Sequence, residues 1–120
     1  MITKNIYIKN NKMTKVLSPK IGDLYVATNG LLAKIYFFKV KSLTKTGNPR
    51  LEEFKCVQGE GTNSPNQSDY IIFPDWSKKI GQKTARYSKE YESWRVKFGE
   101  MHYYLYYFDP NKEYHKCRYY

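Results

Sequence analysis

The chain has 120 residues, with 21 Lys and Arg against 11 Asp and Glu, a formal net charge of +10. This length suits one domain with a small core, since two halves would each be marginal. No apolar run approaches the ~20 residues of a membrane-spanning helix, MITKNIYIKN lacks the apolar core of a signal peptide, and two cysteines are too few for a disulfide framework. The expectation is a cytoplasmic chain with no membrane contact and with Cys56 and Cys117 reduced.

The aromatic share, 18%, is high, and aromatic and β-branched residues favour strands. In chain order, residues 1–12 form a Lys- and Asn-rich leader, expected as an edge strand or a basic arm. Met13 is a second plausible start, and residues 13–120 are expected to form a single β-rich domain. DLYVAT (23–28) reads as a strand entered through the turn at 19–22 and left at Asn29-Gly30, a strong turn dipeptide.

AKIYFFKVKSL (33–43) is the longest strand candidate. Tyr36, Phe38 and Val40 point to one face, and Ile35, Phe37, Lys39 and Lys41 to the other. TKTGNP (44–49) turns the chain into RLEEFKCVQ (50–58), and cross-strand pairing sets Glu52 or Glu53 near Lys39 or Lys41. GEGTNSPNQS (59–68) is a loop by composition.

DYIIF (69–73) reads as a short buried strand ended by Pro74. The following 74–93 has no clean period, with KTARYSKEYE expected as a short helix or an extended basic arm. WRVKFGE (94–100) alternates, with Trp94, Val96 and Phe98 inward and Arg95 and Lys97 outward. YYLYYF (103–108) sets Tyr103, Leu105 and Tyr107 against Tyr104, Tyr106 and Phe108. Asp109-Pro110-Asn111 turns into the closing EYHKCRYY. The predicted fold is mainly β, a small antiparallel SH3-like barrel or strongly bent sheet with little helix. Its core is expected to contain Trp94, Val96, Phe98, Phe38, Val40, Phe54 and Ile72.

The charge excess sits at the two ends. Residues 1–20 carry lysines and no acid, and residues 78–120 hold ten basic and five acidic side chains. If the ends meet, they make one basic face. A strand bulky on both faces must be covered twice or expose rings. The expected binding surface therefore joins Tyr104 and Tyr106 to Arg95, Lys97, Lys116 and Arg118, with Lys39 and Lys41 extending it; the alternative is a tyrosine-rich second core under a covering segment. The pair His115 and Cys117 lacks the second close-spaced pair of a tetrahedral zinc site. No metal or cofactor is expected.

Gly22, Asp23, Leu24, Tyr25, Phe37, Phe38, Lys39 and Val40 carry a resemblance. The stretch 20–40 resembles the opening of small SH3-like barrel proteins, and is similar to an uncharacterised family of short phage and mobile-element proteins that begin Gly-Asp-Ile-Phe and continue to Phe-Tyr-Gln-Val. That resemblance implies a barrel fold and a host-cell setting. The Ser-Trp-Gly-Tyr-Asp segment of that family is replaced here by residues 28–32.

No positioned nucleophile, base or metal set stands out, and the expected function is non-catalytic. Basic residues interleaved with aromatic rings suit phosphates and unpaired bases, which points to a nucleic-acid-binding protein of low sequence specificity whose partner is a single strand. The alternative is a protein-interaction module, such as a phage inhibitor of a host nucleic-acid or defence enzyme, because Tyr, Trp and Arg also dominate protein interfaces.

Overall fold

A computed structural model of the chain describes residues 13–29, 34–61 and 69–117. They form one antiparallel sheet of eight strands: β1 (Leu24–Thr28), β2 (Ile35–Leu43), β3 (Pro49–Gly61), β4 (Asp69–Thr84), β5 (Arg86–Ser88), β6 (Ser93–Phe98), β7 (Met101–Tyr107) and β8 (Tyr114–Cys117). Their order is β5-β6-β7-β1-β2-β3-β4-β8. There is no helix among the described residues, and so none long and apolar enough to cross a membrane. The leader 1–12, the turn at Gly30 and most of the loop read at 59–68 lie outside the described residues.

The entry to β1 explains the Gly-Asp pair. Gly22 adopts φ of 92°, a left-handed conformation open to glycine at no steric cost. This turn aims the Gly22 N–H at the Val40 carbonyl (2.9 Å) and lets the Val40 N–H donate to the Asp23 carbonyl (2.9 Å). The Asp23 carboxylate then accepts from the Lys20 N–H at 3.1 Å and from the Tyr25 hydroxyl at 3.0 Å. β1 is thus tied to β2 before its first residue.

The β2–β3 hairpin forms in the expected register, with Lys39 opposite Glu52 and Phe38 opposite Glu53. One face of the sheet carries Tyr25, Ala27, Phe38, Val40, Leu51, Val96, Tyr103 and Leu105 into a first core, against which Tyr36, Trp94, Phe98 and Tyr107 pack. Of the expected core, Val96, Phe38, Val40, Phe54 and Ile72 are buried. Trp94 and Phe98 are only half-buried at its margin.

The ring of strands around this core closes through β4. β4 runs into β5 across the buried Ala85, whose N–H donates to the Pro49 carbonyl at 2.9 Å. β5 pairs β6, β6 pairs β7 and β7 pairs β1. Residues 14–16 extend the wall. The Val16 N–H donates to the Leu105 carbonyl, and the Tyr107 N–H to the Thr14 carbonyl.

Segment 69–93 departs from the sequence reading. Pro74 does not end the strand, because 74–84 continues β4 to its 16 residues, and KTARYSKEYE (83–92) is not a helix but the end of β4, the strand β5 and the turn into β6. Phe54 pairs with Lys79 and Lys55 with Asp75, so Trp76, Ser77 and Lys78 form a bulge without backbone pairing to β3. A bulge tolerates the proline beside it and bends the strand sharply. Asp75 holds the bulge by accepting from the Ser77 N–H (3.0 Å) and hydroxyl.

That bend carries the first half of β4, with β8 paired to it, over the opposite face of β1 and β2. A second core forms there from Val26, Ile35, Phe37, Ile72 and Tyr114, flanked by Met13, Cys56, Trp76, Tyr106 and Phe108. Phe37 lies at its centre, edge-on to Trp76, Phe108 and Tyr114 at 6.3, 5.9 and 5.7 Å. Cys56 lies opposite Pro74 on one side of β4 and Cys117 opposite Asp69 on the other. Five residues along the strand put them ~16 Å out of step, beyond the ~7 Å reach of a disulfide.

Candidate basic groove

The final aromatic strand has two different faces. Tyr103 and Leu105 are buried in the first core, and Tyr106 is half-buried beside the second. Burial, then the neighbouring Tyr104, raise the Tyr106 hydroxyl above the usual phenol range. Tyr104 is half-buried and edge-on to Tyr91 at 5.8 Å. The second core is therefore real, and it takes Tyr106 away from a fully open stacking surface.

The expected site residues divide. Arg95, Lys97 and Tyr104 come together on β6 and β7, where Arg95 is directly opposite Tyr104 and Lys97 opposite His102. Lys39 stands opposite Glu52, which is ion-paired with Lys79 at 3.2 Å. Lys116 pairs with Tyr70 near the start of β4, whereas the Arg95 cluster adjoins Thr84 at its end. The 16 residues of β4 keep these two apart, because β8 returns beside β4 and not beside β7. Arg118 lies outside the described residues.

Other cations take the place of the missing ones. A depression of about 260 Å³ is lined by Thr84, Arg86, Tyr87, Arg95, Val96, Lys97 and His102. A second, of about 500 Å³, is lined by Lys41, Ser42, Arg50, Leu51, Gln82, Lys83 and Thr84. Thr84 lines both, so the two depressions adjoin and together make a groove bordered by β2, β3, β4, β5, β6 and β7. Six cations line it and no acid does. The ion pair of Lys79 with Glu52 and the contact of His115 with Glu113 lie outside it.

Aromatic rings flank the cations. Tyr91 is 51% exposed above Tyr104, on the face of Arg95, whereas Tyr87, 47% exposed and edge-on to the inward Trp94 at 5.4 Å, turns its ring to the other face of β5 from Arg86. At the other end, the Lys83 ammonium sits 4.3 Å from the Phe98 ring centre. His102 has a buried Nδ1 with no hydrogen-bond partner. An orphaned donor costs more than an orphaned lone pair, so the neutral ring is best served with its proton on Nε2.

Arg50, Lys83, Arg86, Tyr87 and Tyr91 do not stand out in the sequence. The adjacent Arg86-Tyr87 in an otherwise aperiodic stretch is the available signal. It gains meaning only once β4 and β5 are continuous. Compared with known protein families, curated proteins and solved structures, the chain matches none. The groove is therefore interpreted from its own chemistry.

Proposed function

We propose that the protein binds single-stranded nucleic acid along this groove, without strong sequence preference. The observation that carries the reading is the pair of adjoining depressions whose linings hold Lys41, Arg50, Lys83, Arg86, Arg95 and Lys97 and no acid. Cations spaced across five strands suit a polyanion, which repays their loss of hydration by releasing counterions. Tyr91 offers a ring face for an unpaired base on the Arg95 side, and bracing by Tyr104 limits the entropy lost when a base stacks. Among the described residues there is no helix to read base edges, so affinity would come from backbone charge and stacking.

Fluorescence anisotropy with a short single-stranded oligonucleotide, titrated at several salt concentrations, tests this. Replacing Arg95 and Lys97 by Gln should weaken binding and reduce the slope of log affinity against log salt by about 0.7 for each phosphate that is no longer neutralised. Replacing Tyr91 by Ala should leave that slope nearly unchanged and weaken single-strand binding by roughly fivefold to a hundredfold per base unstacked. Absence of binding by the folded protein at low salt would overturn the proposal and turn the groove toward an acidic protein surface.

A further inference from the structure

Arg86 and Arg95 are directly opposite each other in the β5–β6 pairing. Like charges at such positions repel and destabilise the pair. Here the pairing is only three residues long, Arg86, Tyr87 and Ser88 against Arg95, Trp94 and Ser93. Neither arginine has a carboxylate partner among the described residues. The third residue in the row, on β7, is Tyr104, which is not a carboxylate.

The two arginines cannot slip out of register. At the closed end of the hairpin Ser88 and Ser93 are buried, the Ser88 hydroxyl accepts from the Tyr91 N–H at 3.2 Å, and the Ser93 hydroxyl donates to the Tyr91 carbonyl at 3.1 Å. Both arginines line the same depression, with Lys97 and His102 beside them. Two planar forks held on adjacent strands match the oxygens of a tetrahedral phosphate, each able to donate twice.

We propose that Arg86 and Arg95 clamp one phosphate group between them, so that a bound strand is anchored at one fixed phosphate in addition to the diffuse charge of the groove. The ligand's identity as a polynucleotide rests on the reading above, while the clamp rests on the register alone. An anion seated there relieves the repulsion built into the hairpin. Binding and folding stability are therefore coupled.

Thermal melts in low-salt chloride buffer, with and without low-millimolar pyrophosphate, separate the two ideas. At that concentration general salt effects on stability are small. Pyrophosphate should raise the melting temperature of the wild type and of Lys55→Gln, a charge loss far from the groove, but not of Arg86→Gln or Arg95→Gln. Without pyrophosphate, Arg86→Gln should melt about 1–4 °C above wild type because the repulsion is gone. Arg86→Glu, which turns the pair into one of opposite charge, should melt at least as high and ignore pyrophosphate.

An equal pyrophosphate shift in wild type and Arg86→Gln, or no shift in the wild type, would overturn the clamp. If the oligonucleotide binds and pyrophosphate has no effect, the clamp fails and the nucleic-acid proposal stands. If pyrophosphate acts through the two arginines and no oligonucleotide binds, the clamp stands and its ligand is a small phosphate compound.

Discussion

Glu53 shows how one side chain can work against the fold that holds it. It lies opposite Phe38 on β2 and Gly81 on β4, on the face that builds the first core. Burial lifts its carboxyl above the ordinary range, and the nearby Lys83 offsets only part of that rise. Because the folded-state pKa is raised, the unfolded chain gives up this proton first. The group's contribution to stability is fully present below the unfolded carboxylate range and is lost as pH rises through the folded value. Glu53→Gln should therefore raise the melting temperature at neutral pH, and the gain should shrink toward zero near pH ~4. Melts of both proteins across that range check it, and a gain that does not vary with pH would contradict it. Glu52, one residue away on the opposite face, is instead ion-paired with Lys79 and belongs to the outer surface.

At the scale of elements, β4 decides the architecture. Its alternation is broken by Pro74, Gly81 and three bulged residues, so no period-2 pattern marks it as a 16-residue strand. The hairpin β2–β3 is legible because its pattern is clean on both sides of a turn rich in Gly and Asn, and its register follows from pairing Lys39 with Glu52. The bulge also delivers Trp76 to the second core, edge-on to Phe54 at 5.3 Å and Phe108 at 5.5 Å. Trp76→Ala should cost about 3 kcal/mol in urea unfolding, in the range of large aromatic truncations. A destabilisation under ~1 kcal/mol would mean that the ring contributes no more than surface cover.

For the whole molecule, the two cores share one sheet but not one degree of closure. The first is ringed by β1, β2, β3, β6 and β7, each paired on both sides, and sealed by the continuity of β4 and β5. The second is roofed by the first half of β4 and by β8, which has four paired residues and β4 as its single neighbour. Local opening should follow that difference, because segments with few paired neighbours open at lower free energy than the global transition. Native-state hydrogen exchange should find the amides of Tyr114 and His115 exchanging well before those of Tyr25 and Val26. Equal protection in the two regions would mean that both cores unfold as one unit.

Alternation and turn residues alone are enough to establish an all-β chain, the β1, β2, β3, β6 and β7 segments, and the inward rows Phe38 with Val40 and Tyr103 with Leu105. These are local properties, since a side-chain period of two and a Gly- or Asn-bearing turn act within a few residues. The partners of each strand's second face depend on contacts between residues far apart in sequence. Phe37, Tyr106 and Phe108 are covered because Trp76 and Tyr114 arrive from a bulge and a returning strand. Arg86 and Arg95 share a groove with Lys41 and Arg50 because β4 bends and runs on into β5. Charge placed at two ends of a chain carries no information about which strands will bring it together. Here pairing put Lys116 at one end of β4 and Arg95 beside the other.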